Sequence, residues 1–298
     1  MKKNIDKILI FGRPFSEKFR LNFRILINKL RTHDASIIMY KPFHQFVEES
    51  MGEELKVDGL FMDSSDFKGD ESVMLSIGGD GTFLEAVTLV RDNPIYIAGI
   101  NSGRLGFLAD IAQEEINVAV DSIFHGLFSI EERSLIQLYT DQPLFGDFNI
   151  ALNEMTVHKR DDSSMITIHA HLNGQYLNSY WADGLIVSTP TGSTAYSLSV
   201  GGPLLLQGSN NFIISPIAPH NLTVRPLVFP DDMLLTLRID GRGKQILVSL
   251  DSRSVVIESS FELRISKAPY KIKTLRLKGH EFYNTLRSKL MWGADKRN

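Results

Sequence analysis

The chain has 298 residues, enough for one large domain or two modest ones, and 43% hydrophobic against 22% charged residues is a globular balance. A formal net charge of −3 argues against a dedicated nucleic-acid binder, which is usually basic. With no cysteine, disulfides, thiolate–zinc sites, iron–sulfur clusters and a cysteine nucleophile are excluded, and a reduced, cytoplasmic setting fits. The start, Met1-Lys2-Lys3, is basic, but the apolar run behind it is only Ile8–Phe11. That is too short for a signal core or a membrane span, so neither nucleic acid nor membrane is expected as a partner.

Ile8–Phe11 predicts a first buried strand ending at Gly12, and Phe19, Phe23, Leu26, Ile27 and Leu30 follow at helical spacing. Ser36–Tyr40 and Ser72–Ile77 read as strands, Phe83–Val90 as a helix, Pro94–Ile100 as a strand and Glu114–Phe124 as a helix. Strands separated by helices in this rhythm imply βαβ units and a parallel sheet. The segment Glu48–Lys68 is polar and weakly patterned and reads as a surface loop or irregular connection. After about Leu127 strand-like segments dominate: Leu135–Tyr139, Met155–His158, Ile166–Leu172, Gly184–Ser188, Leu234–Ile239, Ile246–Leu250, Val255–Ile257 and Leu263–Ser266. Asn173-Gly174 is a strong hairpin signal before Gln175–Asn178, and Gly241-Arg242-Gly243 is a second expected turn. The expectation is an α/β N-terminal domain with a parallel sheet (1–126) and a β-rich, antiparallel C-terminal domain (127–275). A final helix, His280–Leu290 within 276–298, is expected to pack back onto the first domain.

Four segments carry chemistry. Gly78-Gly79-Asp80-Gly81-Thr82 lies between a strand and a helix. Glycines there allow a sharp turn and close approach to a ligand, and N–H groups backed by a helix N-terminus form an anion cradle. Asp80 is the informative residue: a carboxylate inside a phosphate cradle is repulsive unless it holds a metal or takes a proton. The plainer reading is a tight turn with a helix-capping Asp. The second segment, Asn101 to Leu108, follows the strand Pro94–Ile100; its Gly103 and Gly106 suggest close backbone approach, and Arg104 could face phosphate. An ordinary loop with a solvated Arg is the alternative. The third, Asn153-Glu154, pairs an amide and a carboxylate that can read an adenine edge or ribose hydroxyls, or simply form a solvated turn. The fourth runs from Asp183-Gly184 through Ser188-Thr189-Pro190-Thr191-Gly192-Ser193-Thr194-Ala195-Tyr196-Ser197 to Ser199. So many hydroxyls between an apolar strand and an expected helix can donate to phosphates, ribose hydroxyls and base edges. His169 and His171 share a strand face; a metal site is weighed there against two ordinary histidines.

With these four in order, the sequence resembles the NAD kinase family, from Gly78 to the segment 216–230. The Gly-Gly-Asp-Gly-Thr turn alone is shared with diacylglycerol, sphingosine and, more loosely, phosphofructokinases. The run Thr189 to Ser197 is far more specific to NAD kinases. Pro216-Ile217-Ala218-Pro219-His220 and Arg225-Pro226-Leu227 are similar to the family's later block. The resemblance implies NAD bound at the junction of the two domains, ATP as donor with Mg²⁺ or another divalent metal, and a homodimer or homotetramer. It implies Asp80 as catalytic base, and NAD contacts from Asp80, Gly81, Phe107, Asn153, Glu154, Asp183, Thr194, Ala195, Tyr196, Ser197, Ser199 and Ala218. ATP phosphates fall to Gly78, Gly79, Gly81, Thr82 and Arg104, with His220 and Arg253 as lesser candidates and no protein metal site. Two departures stand out: Asp251-Ser252-Arg253 stands where members often carry Asp-Gly-Gln, and Trp181-Ala182 precedes Asp183 where the family pattern has Gly next to the Asp and often a basic residue before it.

Two rival readings remain at this point. A lipid kinase would share the Gly-Gly-Asp-Gly-Thr turn and add an apolar or basic membrane-facing element, and a dinucleotide-binding regulator would keep the pocket without turnover.

Overall fold

The computed structural model describes residues 5–67, 69, 71–160, 165–240, 245–291 and 293. The chain begins with β1 (Lys7–Gly12), α1 (Arg20–Arg31), β2 (Ser36–Tyr40), α2 (Lys41–Met51) and β3 (Gly59–Phe61). It continues through β4 (Ser72–Gly78), α3 (Asp80–Val90), β5 (Ile95–Asn101), α4 (Ile116–His125) and β6 (Phe128–Arg133). The helix α1 buries Phe23, Leu26, Ile27 and Leu30, one stripe at 3–4 residue spacing. Pro42 suits the first turn of α2, and Gly52 stops that helix in the left-handed conformation. Every residue of β4 and β5 is buried, the pattern of parallel strands covered on both faces.

The β-rich region follows with β7 (Ile136–Tyr139), β8 (Ile150–Ala151), β9 (Glu154–Lys159), β10 (Ile166–Leu172), β11 (Gln175–Ala182) and β12 (Gly184–Ser188). After a one-turn helix α5 (Tyr196–Ser199) come β13 (Asn211–Ile217), β14 (Leu227–Pro230), β15 (Leu235–Asp240), β16 (Gln245–Leu250), β17 (Arg253–Glu258) and β18 (Leu263–Lys267). The last elements are β19 (Ile272–Leu277) and α6 (Phe282–Leu290).

By its contacts the chain divides into two units, residues 1–132 with 272–298, and residues 133–271. The first unit holds a seven-stranded sheet ordered β3-β2-β1-β4-β5-β19-β6, in which the pairs from β3 through β19 run parallel. Its strand order reverses between β1 and β4, and the carboxyl ends of strands at such a reversal are where open α/β sheets bind ligands. The second unit holds two six-stranded antiparallel sheets, β11-β10-β15-β18-β7-β8 and β14-β13-β12-β9-β16-β17. The alternation of buried and open residues along β10 and β15 turns one face of their sheet to a core that includes Ile168, Leu185, Leu237 and Val248.

Two expectations need correcting. Glu48–Lys68 is not a loop throughout: it contains the end of α2 and the strand β3, which pairs parallel with β2. Its residues Gly59-Leu60-Phe61 are too few to show a period, and their pairing with β2 supplies the order instead. The strands β13 and β14 were not expected from the pattern, because β13 is buried along nearly its whole length and shows no alternation. The Asn173-Gly174 hairpin joins β10 to β11 as expected, with both residues at positive φ. The expected turn at 241–243 lies outside the described residues.

Candidate functional site

In the first unit β4 and β5 pair in register to their ends, Gly78 opposite Asn101, so the first two motifs emerge side by side. Gly78 adopts φ +155, and a Cβ there would overlap the Thr82 side chain. Gly79 is the N-cap of α3 and Asp80 its first residue, where a carboxylate favours the helix dipole. That carboxylate accepts three consecutive backbone N–H groups: Phe107 to Oδ2 at 2.9 Å, and Leu108 and Ala109 to Oδ1 at 3.0 and 2.9 Å. Gly106 makes the approach feasible, since a Cβ at that position would overlap the Asp80 carboxylate. Asn101 braces the same loop, taking the Gly103 N–H at 2.6 Å and donating to the Arg104 carbonyl. Gly81 is exposed, Thr82 is buried, and the Arg104 side chain is at the surface. Phe107 is half-buried, and Lys289 of α6 lies 4.7 Å from its ring centroid. Asp110, next after Ala109, is buried and pairs with Arg276 of β19 at 2.5 Å.

The second unit gathers the other motifs. Asn153 is buried, and its carbonyl accepts the Thr189 N–H at 2.9 Å while Thr189 Oγ1 donates to the Leu152 carbonyl at 2.6 Å. Gly192 lets the following turn sit against that carbonyl, because a Cβ would overlap Asn153 O and Ser188 Oγ. Glu154 accepts the Tyr196 N–H and is driven up to about 8 by burial and then by the neighbouring Asp251 charge. Its Oε2 is covered and has no hydrogen-bond partner. Thr194 Oγ1 donates to the Thr191 carbonyl at 3.1 Å, and Ala195 and Ser199 flank the one-turn helix or end it. Ser197 is fully buried, its Oγ 3.3 Å from Ser215 Oγ. Tyr196 stacks on His158 with ring planes 7° apart and its hydroxyl 3.3 Å from Nε2. Burial pulls His158 down, opposed by the charge of Asp183. Asp183 itself is half-buried and paired with Lys159 at 2.8 Å. Ala218 is exposed at φ +45 just after β13, and His220 rests on Trp181 at 4.2 Å between centroids.

Arg253 donates to the carbonyls of Phe148 and Ile150. His169 is bonded to Ser179 and Asp240, His171 packs on Tyr176, and a register shift separates the two. Among the described residues no three His, Asp or Glu side chains converge as a metal site.

These motifs fall within two matched family models. Residues 35–128 match the ATP-NAD kinase N-terminal domain, and residues 152–277 match the ATP-NAD kinase C-terminal domain. The chain is 46% identical over 289 residues to the NAD kinase of Cytophaga hutchinsonii, covering 97% of this chain and 99% of that one. With the NAD kinase of Christiangramia forsetii it is 50% identical over 299 residues, covering 98% and 100%. This chain belongs to the ATP-NAD kinase family. Its fold is shared with yeast NADH kinase, solved with NADH, at a TM-score of 0.84 and 18% identity over 99% of this chain and 90% of that one. It is also shared with an Archaeoglobus fulgidus NAD kinase solved with ATP, at 0.69 and 22% over 96% and 98%. No helix among the described residues is long and apolar enough to cross a membrane.

Within this family frame, the contacts of three charged residues next to the motifs escaped sequence reasoning. Arg133 is buried with Nη1 3.5 Å from Thr191 Oγ1. Lys159 pairs with Asp183, and Asp251 binds the Asn153-Glu154 backbone. The Asp183–Ser199 segment contains no Lys or Arg, yet folding brings one cation to its start at Asp183 and another to its middle at Thr191. Of the three, only Asp251 was named in the sequence reading, as part of the Asp251-Ser252-Arg253 departure from the family pattern.

Proposed function

We infer that the chain transfers the terminal phosphoryl group of ATP to the 2′-hydroxyl of the adenosine ribose of NAD, giving NADP and ADP. One observation carries this reading: in a chain of the ATP-NAD kinase family, the Asn153-Glu154 pair and the Thr189–Ser199 turn lie directly against each other. That brings an amide, a carboxyl group and several hydroxyls, many of them buried, close together, the inventory suited to riboses and an adenine edge.

Asp80 is assigned the proton. Its three N–H partners fix the carboxylate and leave an acceptor position free on Oδ2. As the 2′-oxygen bonds to the γ-phosphorus, its proton passes to Asp80 and the bond from that phosphorus to the β–γ bridging oxygen breaks, releasing ADP. No phospho-enzyme forms. The N–H groups around Gly79, Gly81 and Thr82 at the start of α3, with Arg104, are assigned to ATP phosphates. Asn153 and Glu154 take the adenosine portion of NAD. Asp183 takes the nicotinamide end, and Thr194 to Ser199 with Gly81, Phe107 and Ala218 complete the dinucleotide contacts. A divalent metal, Mg²⁺ by preference, would come with the ATP phosphates and would neutralise their charge. The proposal extends to a homodimer or homotetramer, from the family resemblance, and to the cytoplasm, from the cysteine-free sequence.

The test is incubation with NAD, ATP and Mg²⁺. NADP and ADP should appear in equal amounts. Tight NAD binding without NADP would leave a dinucleotide-binding protein that lacks turnover, and phosphorylation of a lipid alcohol in place of NAD would move the chain to the rival kinase class.

A further inference from the structure

Asp251 has no part in the proposed phosphoryl transfer, yet its side chain is bonded to the backbone of Asn153 and Glu154. It occupies the tight turn between β16 and β17 at φ +52, a conformation that a non-glycine residue adopts at a cost. Its carboxylate accepts the N–H groups of Leu152 and Asn153 at 2.8 Å and of Glu154 at 3.1 Å. Its own N–H donates to the Glu154 carbonyl at 3.0 Å. Two residues on, Arg253 takes the carbonyls of Phe148 and Ile150, its guanidinium 4.9 Å from the Phe148 ring centroid. The one turn thus grips residues 148–154 by carbonyls at one end and N–H groups at the other, and Thr189 holds the carbonyls of Leu152 and Asn153.

We propose that Asp251 is a positioning residue for the nucleotide: it fixes the Asn153-Glu154 backbone and keeps Glu154 a neutral acid whose O–H donates to an acceptor atom of bound adenosine. This rests on the reading that the pair holds the adenosine portion of NAD. The geometry decides which carboxyl group keeps the proton. Asp251 faces three N–H donors, which require an acceptor-only carboxylate, whereas the covered Oε2 of Glu154 faces none. Burial first and the Asp251 charge second push Glu154 up to about 8, against the Tyr196 N–H. The other groups around Glu154 are few. β12 and β16, which flank β9, carry no titratable side chain. Arg253 on β17 is engaged with carbonyls, and α5 brings Tyr196, whose hydroxyl meets His158.

A ligand that accepts a hydrogen bond from the Glu154 O–H raises the Glu154 value further in the complex. Affinity is then fully present below about 8 and is lost as pH rises through it, approaching tenfold per pH unit. The experiment is calorimetric titration of the full-length protein with NAD between roughly pH 6 and pH 9.5, for wild type, Glu154→Gln and Asp251→Asn. The wild type should show the alkaline fall, and Glu154→Gln, which cannot ionise, should lose it. Asp251→Asn removes the neighbouring charge, so its fall should begin at lower pH. An unchanged fall in Glu154→Gln overturns the proposal, as does a folded Asp251→Asn protein with an unmoved fall. If Asp251→Asn does not fold, the comparison of wild type with Glu154→Gln decides alone. NADP formation with a flat wild-type profile rejects only the Glu154 proton, whereas neither NAD binding nor NADP formation rejects the phosphoryl-transfer reading and this inference with it.

Discussion

Asp80 in the first unit and Asp251 in the second use the same device, one carboxylate taking three consecutive backbone N–H groups. Asp80 does so at a helix start beside three glycines and stays half-buried. Asp251 turns its carboxylate inward from a β-turn, where burial raises it and the three N–H groups and Arg253 oppose that shift. Three N–H groups orient a carboxylate equally well in either place; what differs is whether an acceptor position stays within reach of a substrate. The open case suits chemistry, and the enclosed case suits holding another residue in place.

The largest expected effect tests whether Asp80 really differs from Asp251 in this respect. Asp80→Asn keeps the size but removes the base, and turnover should fall ~10²–10⁴-fold while NAD affinity changes far less. Turnover near the wild-type level in a folded variant would make Asp80 a loop pin like Asp251. Gly106→Ala comes next. Its Cβ would overlap the Asp80 carboxylate, so the loop must retreat, and a displacement of about 1 Å costs on the order of 10²-fold in rate. Gly103→Ala is the control, because a Cβ there meets nothing within 4 Å. If both alanine variants behave alike, the close approach at Gly106 has no catalytic meaning.

The contrast also marks what a sequence can disclose. The turn at Gly78–Thr82 was legible because glycines, a carboxylate and the change from strand to helix are all local. The strands β10, β12 and β16 were legible from their apolar runs, and the Asn-Gly hairpin from two adjacent residues. The tethering of Asp251 to Asn153 was not, because no spacing rule links residues 98 positions apart. Nor was the binding of the 107–109 N–H groups by Asp80, for a backbone donor leaves no trace in residue identity. Chemistry carried by side chains near one another in the chain is readable; chemistry assembled by folding is not.

A smaller effect concerns the charge at Asp183, which is paired with Lys159 at 2.8 Å. If Asp183 reads the nicotinamide end, Asp183→Ala should weaken NAD binding by roughly 1 kcal/mol, about fivefold, with the KM for ATP little moved. Loss of ATP affinity with NAD affinity kept would place the triphosphate on this segment.

The smallest effect asks what holds the far end of the Asp80 loop. Ala109, the last N–H donor to Asp80, is followed by buried Asp110, which pairs with Arg276 at 2.5 Å and lies 3.8 Å from His280 Nδ1. His280 also lies 3.3 Å from Glu115. The neighbouring Asp110 carboxylate chiefly raises His280 above its ordinary value, against a smaller desolvation effect, with Glu115 adding to the rise. A histidine raised on folding stabilises the protein fully below its unfolded value near 6.5, and that contribution fades as pH climbs through the higher folded value. Replacing it by Gln should therefore lower the melting temperature at pH 6 and matter progressively less toward pH 8. The contribution is about 0.2–1 kcal/mol, the size of a partly exposed ion pair. Because the network begins one residue beyond the Asp80 donors, a loosened loop should also lower turnover slightly in the same acidic range. A Gln variant whose melting deficit is the same at both pH values would show that His280 acts by packing, leaving Arg276 as the ionic anchor of the loop.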